Sequence, residues 1–256
     1  MYRKLLPWHI DQKNHTLCIK EVQKRYFEEE NITLLNWNVH KNNHNFKWLH
    51  DFEQILHYHA PNLIAFQEYK TKSRRSILDN HKKYGYGFFS NIEMYGHDFG
   101  LLNAATCTIE EFNPIFSEHL EPFIKTPKIN LFTQYKVINN QKITLVNTHL
   151  INFVQTKKYL SQIKQIEKLC QYDDKLILAG DFNTWSSKRM NILISMTKSL
   201  GLSQVDFEVD YHKKSYLSYP LDHVFYKGIK PIRSEILKNI KTSDHKPIIV
   251  EFITNL

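Results

Sequence analysis

The chain has 256 residues, of which 42% are hydrophobic and 23% charged, a composition typical of a folded soluble protein and not of a disordered one. This length suits one α/β domain with a large core. The formal net charge of +8 favours an anionic partner such as nucleic acid, nucleotides or phosphorylated lipid headgroups. A merely basic surface explains the charge equally well.

The cysteines and the hydropathy pattern indicate the cellular compartment in which the protein is expected to work. Cys18, Cys107 and Cys170 are odd in number and far apart, so they indicate neither a disulfide framework nor a zinc cluster and favour a reducing environment. The N-terminus lacks the apolar core of a secretory signal, and no window is long and apolar enough to span a membrane. We expect a cytoplasmic protein, monomeric by default, and leave signal-independent secretion open.

Residues 1–30 are mixed and basic, and we assign them to an N-terminal extension with a short helix around residues 17–27. A domain of residues 31–256 follows. Its first strand is predicted at residues 32–37 and ends at Asn38. Apolar residues at helical spacing then predict an amphipathic helix that ends at Pro61. The second strand, residues 62–66, ends at Gln67 and Glu68, and this strand–helix–strand order predicts layered α/β structure.

The middle of the chain gives weaker signals. Residues 72–83 are basic and predict a helix, and residues 104–109 predict a strand. Three prolines then interrupt the pattern, at Pro114, Pro122 and Pro127. Residues 134–138 and 143–147 flank an Asn-Asn pair and predict a hairpin.

The last third is clearer. Leucine and isoleucine at helical spacing lead to Cys170, and residues 175–179 predict a buried strand that stops at Gly180. Ser186 or Ser187 is expected to cap a helix that stops at Gly201. The final strands are predicted at residues 223–226 and 248–252.

Polar residues recur where the predicted strands end or begin. Taken singly, each has an ordinary explanation as a turn residue, a cap or a partly buried histidine. Each lies beside an apolar run, however, and α/β proteins place their chemistry beyond the carboxyl ends of such strands. The candidate site residues are Asn38, Glu68, His149, Asp181, Asn183, Asp222, Asp244 and His245.

Six motifs in a fixed order carry a family resemblance: LNWNV, LIAFQE, LVNTHL, LAGDFN, PLDHVFY and SDHKP. Together they resemble the endonuclease/exonuclease/phosphatase superfamily, also called DNase I-like, over roughly residues 31–254. The pattern is most similar to its uncharacterised bacterial YafD-like branch. The resemblance implies an α/β fold, a four-layer α/β/β/α sandwich in which two mixed β-sheets pack face to face with helices outside.

The resemblance also implies a metal-dependent hydrolase of phosphate esters that uses Mg²⁺ or Mn²⁺. Such a cation takes oxygen ligands and needs few protein carboxylates. Glu68 is the first-choice metal ligand, and Asn38 and Asp244 complete or support the shell.

The remaining residues would act on water and phosphate. Asp181 would orient or deprotonate the attacking water, and Asn183 would hold that water or a phosphate oxygen. His245, fixed by Asp222, would contact the phosphate or assist as base. His149 would hydrogen-bond the phosphate and help the leaving group.

The substrate is left open between two classes. The leading hypothesis is a nuclease acting on DNA or RNA, which the positive charge favours. The alternative is a phosphatase or phosphodiesterase acting on a small or lipid phosphoester of the inositol phosphate or sphingomyelin type. A non-catalytic binding protein on the same fold is a minor third hypothesis. Specificity would lie in residues 70–140 and 205–220, where no motif can be interpreted.

Overall fold

The computed structural model describes residues 15–123, 125–208, 213–216 and 218–254. In chain order the strands are β1 (Leu17–Lys20), β2 (Asn31–Asn38), β3 (Leu63–Lys72), β4 (Gly85–Met94), β5 (His97–Ala105), β6 (Glu111–Leu120), β7 (Pro127–Lys136), β8 (Lys142–His149), β9 (Leu176–Asp181), β10 (Ser203–Gln204), β11 (Ser215–Tyr216), β12 (Tyr219–Pro220), β13 (Asp222–Lys227), β14 (Lys230–Ile236) and β15 (Ile248–Ile253). The helices are α1 (Phe46–His59), α2 (Thr156–Cys170) and α3 (Ser187–Ser199). Within the described residues, no helix is both long and apolar enough to cross a membrane.

Two large mixed sheets organise the chain. The first has the order β1-β4-β5-β3-β2-β15-β14 and the second the order β10-β13-β9-β8-β7-β6. Each contains one parallel pair, β2 with β3 and β8 with β9, joined through α1 and α2 respectively. A parallel pair requires such a crossover. The two crossovers bring the carboxyl ends of four strands toward one side of the molecule.

Three apolar clusters reveal the layers. A central cluster joins the facing sides of the two sheets, for example Leu34 and Val250 from the first with Leu145 and Ala179 from the second. A second cluster packs α1 on the outer face of the first sheet, and a third packs α2 and α3 on the outer face of the second. The predicted α/β/β/α sandwich is confirmed.

The first helix follows from its sequence. Its apolar residues recur at helical spacing and bury Trp48, Phe52 and Ile55 against the sheet. The Asn45 side chain accepts a hydrogen bond from the backbone N–H of Lys47 and caps the start. The helix ends at Ala60, which adopts a left-handed conformation just before Pro61.

The helix predicted at residues 17–27 is wrong. Leu17–Lys20 is instead the edge strand β1, whose Leu17 pairs with Phe89 of β4. Phe27 is fully buried in the central cluster. Residues of the predicted N-terminal extension therefore contact the domain, and the boundary at residue 30 stays a prediction.

Three further expectations for the middle of the chain needed correction. Residues 72–83 contain only a short 3₁₀ helix, Ile77–Asn80. The strand predicted at residues 104–109 ends at Ala105, because it belongs to the longer β5. Pro114 lies inside β6, where an outermost strand tolerates a missing N–H. The hairpin around Asn139-Asn140 is confirmed as β7 and β8.

Candidate active site

Strand register brings three of the predicted residues side by side in the second sheet. His149 ends β8 and lies opposite Asp181, the last residue of β9, which in turn lies opposite Asp222, the first residue of β13. Neighbouring residues across strands have their side chains within contact distance. Asn38 ends β2 of the facing sheet and donates a hydrogen bond from Nδ2 to Asp181 Oδ2 at 3.1 Å.

Glu68 reaches the site through a β-bulge. The strand predicted to stop at Gln67 and Glu68 continues to Lys72, but its pairing with β5 shifts between Phe66 and Tyr69. Glu68 has a positive φ of 51°, an uncommon conformation for a residue with a side chain. A bulge bends the strand and re-aims a side chain, and here it directs the Glu68 carboxylate into the cleft.

Asp181 is the centre of an inner cluster that also contains two histidines. His149 Nε2 and His245 Nε2 lie 3.6 Å and 3.7 Å from Asp181 Oδ2. On its other side, the His245 ring places Nδ1 2.7 Å from Asp222 Oδ2. A carboxylate on Nδ1 fixes the ring orientation and the tautomer, so Nε2 of His245 faces Asp181.

Asn183 is held close to this cluster by its backbone. Its N–H donates to Asp181 Oδ1 at 3.0 Å, and its Nδ2 donates to the Leu150 carbonyl at 2.8 Å. Its φ is 48°. Strained backbone of this kind gathers at functional sites, and among the cleft-lining residues His40, Lys41, Glu68 and Phe153 also have a positive φ.

Glu68 and Asp244 form an outer pair of carboxylates, each matched by cationic side chains. Lys41 Nζ lies 3.0 Å from Glu68 Oε2. Asp244 is paired with Lys214 and with His40, whose Nδ1 lies 2.8 Å from Asp244 Oδ1. Both carboxylates are more accessible than the inner ones, with Asp244 41% exposed and Asp181 only 4%.

The two histidines differ in protonation. Burial disfavours a charged His245, but the carboxylates of Asp222, Asp181 and Asp244 outweigh it and raise its pKa to about 9. For His149, burial and the nearby Lys128 lower the pKa to about 4, against Asp181 and Glu68. At neutral pH His245 is therefore an imidazolium and His149 a neutral imidazole.

The pKa values of the carboxylates also shift in opposite directions. Burial raises the pKa of Asp181 above its usual range, even against His245 and His149. Burial would also raise the pKa of Glu68, but positive charge from His149, Lys128 and Lys41 brings it well below that range. Since His149 is neutral at pH 7, the two lysines supply this effect there. Against burial, Lys214, His245 and His40 likewise lower the pKa of Asp244.

Glu68 and Asp244 have the chemistry that a hard divalent cation requires. They are ionised oxygen donors, and Glu68 Oε2 is buried and accepts no hydrogen bond from the described residues, although Lys41 lies close to it. Asn38 is less free, because its Oδ1 already accepts the N–H of His40 at 3.0 Å. We expect Mg²⁺ or Mn²⁺ to displace the lysines from Glu68 and Asp244, with Asn38 in support.

A different set of residues has potential ligand atoms close enough together to hold a metal ion. Among the described residues, ligand atoms of Asp181, Asp222 and His245 all lie within 4.8 Å of one another. His245 Nδ1 is already engaged by Asp222 at hydrogen-bond distance. This set therefore resembles a carboxylate–histidine chain more than an open ligand shell.

Six of the eight predicted residues line one cleft of about 430 Å³: Glu68, His149, Asp181, Asn183, Asp244 and His245. The other two lie behind it, where Asn38 is bonded to Asp181 and Asp222 to His245. The roles assigned to all eight remain predictions.

Sequence reasoning missed the lysines of the cleft: Lys41, Lys128 and Lys214. Lys41 lies two residues beyond the LNWNV motif, so its position was a usable signal. Lys128 is the second residue of β7 and pairs with Glu121 at 3.4 Å. Nothing in its local sequence separates it from a surface lysine. Lys214 lies in a segment without any motif.

Comparisons with known proteins identify the family and the fold. The sequence profile of the Endonuclease/Exonuclease/phosphatase family matches residues 35–245. A UPF0294 protein of Vibrio parahaemolyticus is 31% identical over 236 residues, which cover 88% of this chain and 78% of that protein.

Solved structures share the fold at low sequence identity. An endonuclease/exonuclease/phosphatase from Beutenbergia cavernae superposes with a TM-score of 0.70 at 14% identity, covering 88% of this chain and 72% of the other. The D. rerio TDP2 complexed with single strand DNA product superposes with a TM-score of 0.62 at 16% identity, covering 88% and 99%.

Proposed function

The chain belongs to the endonuclease/exonuclease/phosphatase family, and we propose that it is a divalent-metal-dependent phosphodiesterase that cleaves nucleic acid. One observation carries the proposal. Residues as far apart in sequence as Glu68 and His245 bring ionised carboxylates, an imidazolium and a neutral imidazole to a single cleft. Hydrolysis of a phosphate ester requires this combination of charge neutralisation and proton handling.

The inner cluster would handle the phosphate and the water. His245, cationic at neutral pH and held by Asp222, presents Nε2 to the cleft and would neutralise charge on the phosphoryl oxygens. Asp181 carries a raised pKa, so it is suited to accept a proton from the attacking water. His149 is neutral and able to donate a hydrogen bond to a phosphate or leaving-group oxygen. Asn183 would orient the water beside Asp181.

The outer carboxylates would hold the metal. Glu68 and Asp244 would bind Mg²⁺ or Mn²⁺, which supplies Lewis-acid stabilisation of the developing charge. Lys41 and Lys214 would then be released from these carboxylates to face the anionic substrate. Lys128 lines the same cleft, acts electrostatically on Glu68 and His149 and adds to the positive field.

Two observations support a polynucleotide substrate. The formal net charge of +8 favours a polyanion, whose binding releases counterions. The structural neighbour from D. rerio was solved with a single strand DNA product, and this chain shares its fold over most of both chains.

A substrate panel tests the proposal. Purified protein is incubated with single-stranded DNA, plasmid DNA and RNA, and in parallel with soluble phosphomonoesters, inositol phosphates and sphingomyelin, over a Mg²⁺ and Mn²⁺ series. We expect cleavage of polynucleotide that stops with EDTA. Turnover confined to the small or lipid esters would replace the nucleic-acid assignment, and no turnover of any ester would refute the enzyme itself.

A further inference from the structure

The cleft has a second, apolar half that the chemistry above does not use. It is lined by apolar side chains from three separate segments: Ile92, Met94, Phe99, Phe123, Ile129 and Phe153. Phosphate and metal binding explain none of them. An apolar wall directly beside a phosphoester site indicates a substrate with an apolar group attached next to the reacting phosphate.

Two phenylalanines of this wall are strongly exposed. Phe123 is 82% and Phe153 65% accessible, and their ring centroids lie 6.2 Å apart at an interplanar angle of 71°. Exposing two large apolar rings side by side to water is unfavourable in free energy unless a ligand covers them. The pair offers one ring face beside one ring edge, an arrangement that suits a planar aromatic group.

The ring of Phe153 is displayed on a tightly held loop. Phe153 has a φ of 49°, which is rare for a bulky residue. Asn152 secures the turn, because its Oδ1 accepts the N–H of Phe153 and the indole N–H of Trp185, both at 2.8 Å. The N–H of Asn152 donates to Glu121 Oε1 at 2.9 Å.

Arg189 fixes the same loop from below. It is buried, donates to the carbonyls of Ile151, Asn183 and Val154 at 3.0–3.2 Å, and packs its guanidinium against Trp185. This side chain thus links the backbone of the Phe153 loop to that of Asn183 in the catalytic cluster. The position of the exposed ring relative to the reacting atoms is therefore set in advance.

Resting on the proposed function, we propose that Phe123 and Phe153 form a stacking site for an unpaired nucleobase next to the scissile phosphate. The exposed ring faces favour a planar group. Three lysines also line the cleft, and they favour a group attached to an anion. Bases of an intact duplex are stacked on their neighbours and cannot reach such a site. The preferred substrate is accordingly single-stranded.

Binding measured without turnover tests the site. A fluorescently labelled single-stranded oligonucleotide is titrated with protein in EDTA and followed by anisotropy. The double variant Phe123→Ala/Phe153→Ala is expected to bind about ten-fold more weakly, as expected for one lost stacking contact. The double Phe→Trp variant keeps the affinity, since a larger ring still stacks. Tyr172→Ala, which removes an aromatic ring 84% exposed outside the cleft, is the matched control.

Two control ligands offer no unpaired base: the duplex of the same sequence and an abasic oligonucleotide. Both are expected to bind wild type and double variant equally. The inference is overturned if the double variant binds the single strand like wild type, or if wild type binds no oligonucleotide. It is also overturned if the variant instead loses binding to phosphatidylcholine vesicles, because the rings would then contact lipid.

Failure of the inference and failure of the proposed function give different results. If metal-dependent cleavage of polynucleotide is normal in the double variant at all substrate concentrations, the enzyme assignment stands and the stacking site is wrong. If no ester is hydrolysed while single-strand binding still depends on the two rings, the enzyme assignment is wrong and the cleft is a binding site.

Discussion

The inner cluster around Asp181 and the outer pair, Glu68 and Asp244, are both built from carboxylates, yet their surroundings are opposite. Asp181 is buried among histidines, and its pKa is raised. Glu68 and Asp244 are partly accessible and face lysines, and the pKa of each is lowered. In the proposed mechanism the same chemical group exchanges a proton in one place and holds a cation in the other.

This contrast assigns roles that residue type alone does not. A carboxylate that is ionised at all physiological pH values and paired with partly exposed lysines is suited to exchange those lysines for a metal. A buried carboxylate beside an imidazolium and a neutral imidazole is suited to moving a proton. We therefore expect the inner and outer residues to respond differently to substitution, to pH and to metal.

The largest effect is expected at the centre of the inner cluster. Asp181→Asn removes the proton acceptor but keeps the shape and the hydrogen bond from the Asn183 N–H, so activity should fall by about 10²–10⁴-fold. Burial disfavours the Asp181 charge, so the melting temperature is expected to stay the same or rise. Activity and thermal unfolding are measured on the same preparation. Retained activity would break the assignment.

His245 should make stability depend on pH above neutrality. Folding raises its pKa from about 6.5 to about 9, so the folded protein holds a proton that the unfolded chain releases. The resulting stability is fully present below about pH 6.5 and is lost as pH rises through about 9. It amounts to something on the order of 3 kcal/mol.

Denaturant unfolding of wild type and His245→Gln between these pH values checks this. The variant is expected to be less stable at pH 6.5, and the difference should shrink toward pH 9 and above. Comparing the two proteins at each pH cancels the contribution of other titrating groups. A difference that does not change with pH would show that Asp222 and Asp181 do not hold a charged His245.

The outer pair should respond to metal. Glu68→Gln keeps the size of the side chain but removes the charge, so Mg²⁺ or Mn²⁺ should bind at least about ten-fold more weakly in calorimetry. Glu53→Gln is the matched control, because Glu53 is an exposed glutamate paired with His81 on the surface. Unchanged metal affinity in Glu68→Gln would move the metal to the Asp181, Asp222 and His245 group.

The smallest effect is expected for the lysines of the outer pair. Lys214→Met removes the partner of a carboxylate that is 41% exposed, and such accessible pairs contribute about 0–1 kcal/mol. Urea unfolding should therefore hardly change, in contrast to His245→Gln. A loss well above 1 kcal/mol would mean that the outer pair is as strongly coupled to folding as the inner cluster.

The local sequence correctly predicted the strands whose last residues belong to the family motifs. The apolar runs before Asn38, His149 and Asp181 are buried strands, as their composition indicates, and the helices between them follow from apolar periodicity. Prediction failed where tertiary pairing overrides local preference. The edge strand β1 has no local strand signal, β14 was not predicted, and β3 continues past Glu68 through a bulge that depends on its pairing with β5.

The sequence by itself determined which chemical groups stand at the strand ends and, through their order, the family and its layered fold. Only the tertiary structure decided what those groups do to one another. Lys41, Lys128 and Lys214 keep the outer carboxylates ionised. Burial lowers the pKa of His149, whereas three carboxylates raise the pKa of His245 against burial. Electrostatic interactions depend on the distance between groups and on their solvent exposure, and neither quantity can be obtained from the spacing of residues along a chain.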